Sequence, residues 1–350
     1  MQIFEHPDFD NHEKILFCTD RKTGLKGIIA IHSTALGSAA GGCRMYPYES
    51  TQEALTDVLR LSRGMSYKNA VAGLPLGGGK CVIIADSHSS RKPELLRAFS
   101  RHVQDLGGQY WTAIDIGVSP EDADILAENC DYVFCRASHY EEGFSPASFT
   151  ALGGFVGIQA VSDHLWNRRD LKGVRVAIQG LGGTGADLAH RLNQAGAELV
   201  VADVREQPVR EAVEKYGAQP VSPETVHAQE VDVFAPCAMG AIINDKSLPE
   251  IRAQAICGLA NNQLEKPEHG AILQKRGITY VPDYVVNAGG VIGGSALIFE
   301  TPSRERSIAR IEGLFDTIKS ILEQSAKEGR PTSEIADAMA LARIDMPSAS

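Results

Sequence analysis

The segment from Val174 to Asp203 constrains this chain more than any other. Val174-Arg175-Val176-Ala177-Ile178-Gln179 is a β-branched run that reads as a buried strand, followed by Gly180-Leu181-Gly182-Gly183-Thr184-Gly185. A helical stretch from Ala186 to Ala195 comes next, then a second apolar run, Glu198-Leu199-Val200-Val201-Ala202, that ends on Asp203. Strand, glycine turn, helix and acid-terminated strand is the context in which a GxGxxG turn binds a dinucleotide; alone, such a turn is weak evidence of one. Gly180 permits the tight turn, Gly182 lets the backbone approach a pyrophosphate, and Gly185 lets the helix close on the strand. The helix N-terminus then offers N–H groups and partial positive charge to the phosphates. Asp203 stands where a carboxylate accepts hydrogen bonds from the ribose hydroxyls and repels a 2′-phosphate, so NAD is expected over NADP. Arg205, just beyond Val204, softens that repulsion.

The alternation continues through residues 141–330. A helix is expected over 149–164, and short strands over 231–235, 255–257 and 278–281, which together imply a parallel sheet covered by helices. Residues 1–140 read as strands over 27–32 and 81–85 and helices over 51–70, with Thr51 as N-cap, and 93–106. The expected class is therefore α/β in two domains, joined near Glu141-Glu142-Gly143. Beyond residue 303, Ile308, Ile311, Leu314, Phe315, Ile318, Ile321 and Leu322 mark one face of a long helix, and Pro331-Thr332 opens a last one with Thr332 as cap.

Composition limits the partners. Thirty-four basic against forty-four acidic residues give a formal net charge of −10, and no Lys/Arg-rich run interrupts it. Neither nucleic acid nor an anionic membrane surface is expected to attract such a chain. The seven cysteines form no CxxC pair and read as reduced thiols of a cytoplasmic protein. His32, His139 and His227 lie at no ligand spacing, so no metal is assigned. No signal peptide is visible at the start, and the longest uncharged stretches are broken by glycines, which argues against membrane spans.

Two lysines stand apart. Lys68 ends Gly64-Met65-Ser66-Tyr67-Lys68, Lys80 ends Leu76-Gly77-Gly78-Gly79-Lys80, and no charged residue lies between Asn69 and Gly79. The glycine run is no phosphate loop, because the GxxxxGK[ST] spacing is absent and Cys81 follows the lysine. Either both lysines are solvated at the surface, or they are a recessed pair, one binding an anion and the other kept partly neutral as a base.

These two segments are similar to the amino-acid dehydrogenase superfamily. So are Thr112-Ala113-Ile114-Asp115, the Gly180–Gly185 turn, Ala235-Pro236-Cys237-Ala238, Ala260-Asn261-Asn262-Gln263-Leu264 and Pro282-Asp283-Tyr284-Val285-Val286-Asn287-Ala288-Gly289-Gly290. The likeness is greatest to the leucine, phenylalanine, valine and tryptophan dehydrogenases. It implies an N-terminal α/β domain for substrate and oligomer contacts, a Rossmann-type NAD domain, a catalytic cleft between them, and a terminal segment 331–350 that returns to the first domain. It also implies a homo-oligomer that converts an L-amino acid reversibly to its 2-oxo acid and ammonium. By the family pattern Lys68 binds the substrate carboxylate, Lys80 activates water, Asp115 shuttles protons and Asn262 helps hold the substrate. Thr150 and Asn287 would position the nicotinamide carboxamide, with Cys237, Ala238, Ala260 and Asn261 beside the cofactor.

The resemblance also bears on which amino acid is used. Glutamate-specific members carry a lysine where this chain has Ala40, and a desolvated carboxylate left unpaired there would cost several kcal/mol. Leucine-specific members have leucine at Ala40 and valine at Gly294. Those two positions, with Gly41, Met65, Ala113 and Val291, are expected around the substrate side chain. A methylene in such a pocket is worth roughly 1–3 kcal/mol, so two truncations lean towards phenylalanine, with leucine next. Two other classes fit the dinucleotide turn alone. A hydroxy-acid dehydrogenase would need a His–Arg pair and would leave Lys68, Lys80 and Asp115 unexplained. A non-catalytic dinucleotide-binding regulator is left open by departures at Gly293-Gly294 and Leu259.

Overall fold

The computed structural model describes residues 2–139, 145–238, 240–299 and 303–346. The chain divides into two compact units, one of Met1–Phe144, Gly294–Pro302 and Ala340–Ser350, the other of Ser145–Gly293 and Ser303–Met339. The expected linker at 141–143 lies outside the described residues. Of the segment expected to return to the first unit, only the part from Ala340 onward groups with it, and 294–302 joins it as well.

The first unit holds β1 (Lys14–Asp20), β2 (Leu25–Ser33), β3 (Ala39–Tyr46), α1 (Thr51–Val71), β4 (Gly77–Ile84), α2 (Lys92–Gln104), β5 (Tyr110–Ile114) and α3 (Pro120–Ala127). Its sheet runs β1-β2-β4-β3-β5, with β1, β2 and β4 antiparallel in turn and β3 parallel to both β4 and β5. Ile29, Ile31, Cys43, Cys81 and Ile83 lie in a core with Leu96, Phe99 and Val103 of α2. Ile28, Ala30 and Val82 meet Leu55, Val58 and Leu59 of α1. The period-2 alternation thus sends successive strand residues to two helical layers. Strand β4 begins at Gly77, four residues before the expected start, because its glycines hide it from any propensity reading. Ser50, not Thr51, caps α1: its hydroxyl accepts from the Glu53 N–H at 3.1 Å.

The second unit opens with α4 (Pro146–Trp166) and β6 (Arg175–Gln179), then α5 (Gly183–Gln194), β7 (Glu198–Ala202), α6 (Glu206–Tyr216) and β8 (Gln219–Pro220). It continues through β9 (Val233–Pro236), β10 (Ala255–Ile256), α7 (Glu268–Lys275), β11 (Thr279–Tyr280) and α8 (Asp283–Val286). The sheet is parallel throughout in the order β11-β10-β9-β6-β7-β8. Numbered from β6, that is the doubly wound order 3-2-1-4-5-6, whose switch point falls between β6 and β9 and is where ligands bind. Helix α9 (Gly289–Phe299) follows. The long helix expected beyond 303 is two, α10 (Arg304–Glu312) and α11 (Leu314–Glu328), interrupted at Gly313. In α12 (Thr332–Ile344), Thr332 does not cap; its hydroxyl donates to the Tyr280 carbonyl at 2.6 Å. Among the described residues no helix is long and apolar enough to cross a membrane.

Candidate active site

In the first unit α1 lies so close on β4 that a side chain at Gly78 would run into Ser66. Two residues on, along the same strand face, Lys80 is the first long side chain past that contact. It is only 6% exposed, and its Nζ reaches Asp115 Oδ2 at 3.0 Å, just beyond the end of β5. The same oxygen accepts from Arg44 Nε at 2.9 Å. Arg44 donates through its other end to Asp57 Oδ2 of α1 at 2.9 Å, and that oxygen also accepts from the Tyr48 hydroxyl. Charges therefore alternate from Lys80 through Asp115 and Arg44 to Asp57. Burial alone would push the Asp115 carboxyl up, but the charges and hydrogen bonds of Lys80 and Arg44 outweigh it and hold the group down to about 2. Arg44 and Asp57 were missed as site residues from sequence. The available signal was a lone arginine between Cys43 and Met45 in a run of small, uncharged residues.

Lys68 sits half-buried in the last turn of α1, and Met65, one turn back, is also half-buried; a side chain at Gly41 would come 3.2 Å from Met65 Cγ. Ala40 and Ala113 are buried. Gly294 offers no extra room. A Cβ there would lie 2.7 Å from Cys135 Sγ and 3.3 Å from the Phe134 ring, so neighbours already take up the space that sequence reading gives to a wider pocket.

In the second unit the glycine turn closes as its residue types require. Gly180 has φ +94°, and a side chain on it would meet Ala238, two residues past β9, at 2.6 Å. One at Gly185 would strike the Gly180 carbonyl, while the space beside Gly182 is open. Gly182 is the N-cap of α5. Asp203 turns back onto this loop: Oδ2 accepts from Leu181 N–H at 2.7 Å, and Oδ1 from Arg205 N–H at 2.8 Å and Nε at 3.1 Å. The Arg205 guanidinium leads, over the opposing effect of burial, in holding Asp203 down to about 2, helped by the two backbone donors. Val204 is exposed.

The nicotinamide end can be tested on Asn287. Its amide donates to Asn261 Oδ1 at 2.7 Å and to the Leu259 carbonyl at 3.3 Å, yet its own Oδ1 is buried with no partner among the described residues. An orphaned buried acceptor costs roughly 1–3 kcal/mol, and a carboxamide NH₂ is the kind of donor that would relieve it. Thr150, whose hydroxyl donates to Pro146 O at 2.9 Å, packs close against Gly290. The residues present fit a nicotinamide dinucleotide. Asn262 adopts φ +53°, its carbonyl accepting from Ala241 N–H at 2.7 Å. Gln263, quoted in the motif but given no role, fixes that loop by donating to the Gly258 and Ala260 carbonyls at 2.7 and 3.0 Å. Burial pushes the Cys237 thiol up to about 12, leaving it neutral beside Ala238. Elsewhere Asp245, Glu265 and His269 bring ligand atoms within 4.8 Å, but Lys266 already pairs with Asp245 at 2.6 Å.

Residues 12–132 match the family described as "Glu/Leu/Phe/Val dehydrogenase, dimerisation domain", and 201–300 match "Glutamate/Leucine/Phenylalanine/Valine dehydrogenase". The chain belongs to the Glu/Leu/Phe/Val dehydrogenase family. It is 43% identical over 345 residues to a leucine dehydrogenase of Geobacillus stearothermophilus, covering 99% of this chain and 94% of that one. A phenylalanine dehydrogenase of Thermoactinomyces intermedius is also 43% identical, over 98% of this chain and 94% of its own. A crystal structure of L-tryptophan dehydrogenase from Nostoc punctiforme superposes with a TM-score of 0.84 at 38% identity, covering 96% of each chain. This Glu/Leu/Phe/Val dehydrogenase is thus an amino-acid dehydrogenase of the leucine, valine, phenylalanine and tryptophan branch, in a family that uses NAD(P). The hydroxy-acid dehydrogenase and the non-catalytic regulator are both set aside.

Proposed function

We propose that the protein catalyses the reversible reaction of an apolar L-amino acid, NAD⁺ and water to the 2-oxo acid, NADH, ammonium and a proton. The observation that carries this reading is the buried Lys80–Asp115 ion pair. In this reading Lys68 binds the substrate carboxylate as a point charge. Lys80 and Asp115 activate the water and move protons to and from the nitrogen, and Asn262 helps hold the substrate. A bound dinucleotide would supply the acceptor for the hydride of the substrate Cα, and Asn287 and Thr150 would hold its carboxamide. Asp203 favours ribose hydroxyls over a 2′-phosphate, hence NAD. The protein works as a homo-oligomer.

The preferred substrate is leucine or an aliphatic side chain of similar size. The lean towards phenylalanine rests on two small residues, Ala40 and Gly294, and Cys135 and Phe134 take up the room at the second. Ala40 alone favours a phenylalanine dehydrogenase, which is the second reading. Ammonium-dependent oxidation of NADH with 4-methyl-2-oxopentanoate and with phenylpyruvate tests both. The first keto acid is expected to give the higher kcat/KM. A clear preference for phenylpyruvate overturns the size assignment, activity undiminished with NADPH overturns the cofactor assignment, and no ammonium-dependent oxidation with either overturns the reaction.

A further inference from the structure

Arg44 has no part in the reaction as written above, yet it touches the same oxygen as Lys80. It projects from β3 between Cys43 and Met45, and its side chain is only 17% exposed. A guanidinium in such surroundings is costly unless well paired. It is paired at both ends, with Asp115 and Asp57 at 2.9 Å each, and Asp57 is itself fixed by Tyr48. Among the described residues the contacts to Asp115 from Lys80 and Arg44 both fall on Oδ2, and no side chain engages Oδ1.

We propose that Arg44 is a positioning residue for the reaction: anchored by Asp57 of α1, it grips Asp115 Oδ2 beside Lys80 and so fixes the carboxylate's orientation and charge state, leaving Oδ1 for the proton traffic. The inference rests on the reading of Asp115 as the proton carrier. Its physical content is a fork. Planar Arg44 spans two carboxylates on different elements, whereas an ammonium group is a single point of charge. Asp57 thereby ties the position of α1, which also carries Lys68, to the group that handles the proton.

The pH dependence has a definite sign. The groups facing Asp115 are Lys80 from β4 and Arg44 and the Cys43 thiol from β3, with Asp57 and Tyr48 behind Arg44. Removing the Arg44 cation leaves burial opposed by Lys80 alone, so the Asp115 carboxyl rises. Activity that needs the carboxylate is then lost at a higher pH on acidification. Arg44→Met is expected to move the acid limb of kcat/KM for deamination up by about one pH unit or more. It should lower kcat about tenfold or more while the amino-acid KM changes less than about threefold. Arg44→Lys should bring the acid limb back towards the wild type but leave kcat reduced, because one ammonium group cannot span Asp115 and Asp57. Asp57→Asn, which keeps both cations on Asp115, should lower kcat without raising the acid limb. A wild-type acid limb and kcat in Arg44→Met, or a loss confined to KM, overturns the inference. Asp115→Asn measured alongside separates the two levels: if it keeps turnover, the reading of Asp115 itself fails, and if it is inactive while Arg44→Met behaves as wild type, only the role of Arg44 fails.

Discussion

Each unit of this molecule holds one aspartate down to about 2, and the two do it differently. Asp203 is held from nearby in the chain, by Arg205 two residues on and by the N–H of Leu181 in the glycine turn. Asp115 is held from far away, by Lys80 and by an Arg44 that is 71 positions earlier. What brings those three together is strand register. Cys43 pairs with Cys81 on one side and with Ile114 on the other, so their neighbours Arg44, Lys80 and Asp115 come together across three adjacent strands. The second unit thus builds its polar site from a contiguous motif, and the first builds its site from a sheet.

The sharpest way to break that comparison is to remove the distant partner to which the proposed function gives the base's role. Lys80→Met is expected to lower kcat on the order of a thousandfold, the scale of a lost acid–base group, while dinucleotide affinity measured by fluorescence titration stays unchanged. Turnover near the wild-type value would mean that the ion pair of the first unit is structural only. The matching change in the second unit is Gly185→Val, which drives a branched side chain into the Gly180 carbonyl. It should abolish dinucleotide binding and lower Tm by several degrees, as overpacking by about 1–3 kcal/mol does. Gly182→Ala meets open space in the protein alone, so Tm should hold while dinucleotide affinity falls about tenfold. Undiminished dinucleotide affinity in Gly182→Ala would mean that the open side of Gly182 is not where the dinucleotide approaches.

The same contrast explains what could be read from the sequence. The β6–turn–α5–β7 unit and its acid were legible because most of their contacts lie within one motif, with Gly180 at a positive φ in the turn and Gly185 closing on the Gly180 carbonyl as their spacing requires. Lys68 and Lys80 stood out as two lysines flanking an uncharged stretch, and Asp115 was added as a candidate through family likeness. Their company was not, because Arg44 and Asp57 join them only through the parallel register of β3 with β4 and β5 and through the docking of α1. Strand β4 began earlier than its propensities indicate because each of its first glycines answers a close approach, Gly77 to the Ser33 and Gly37 backbone, Gly78 to Ser66 of α1 and Gly79 to the Tyr110 ring, a tertiary demand that overrides local preference. What surrounds Gly294 was hidden for a related reason: a missing side chain counts as pocket volume only if nothing else fills it, and Cys135 and Phe134 stand there.

A smaller effect separates the local latch from its ligand. Asp203→Asn removes the charge that repels a 2′-phosphate while Arg205 remains, so the ratio of kcat/KM with NADP⁺ to that with NAD⁺ should rise about tenfold. A ratio that does not move would show that Asp203 serves only to brace the Leu181 turn.

The smallest expected change tests the filled space at Gly294. Cys135 takes φ +58°, in the left-handed region, and holds Sγ 2.7 Å from where a Cβ on residue 294 would sit. Removing that sulfur in Cys135→Ala keeps the backbone residue type close to the original and frees about one heavy atom's worth of space. If Gly294 borders the substrate side chain, the freed space benefits a ring more than an isobutyl group. A difference of about 1 kcal/mol then raises the phenylalanine-to-leucine ratio of kcat/KM about fivefold. The double variant Cys135→Ala with Ala40→Leu should return the ratio towards its starting value, since the second change refills the pocket from β3. A ratio that stays put in Cys135→Ala, with Tm unaffected, would place Gly294 away from the substrate and leave Ala40 as the residue that sets side-chain size.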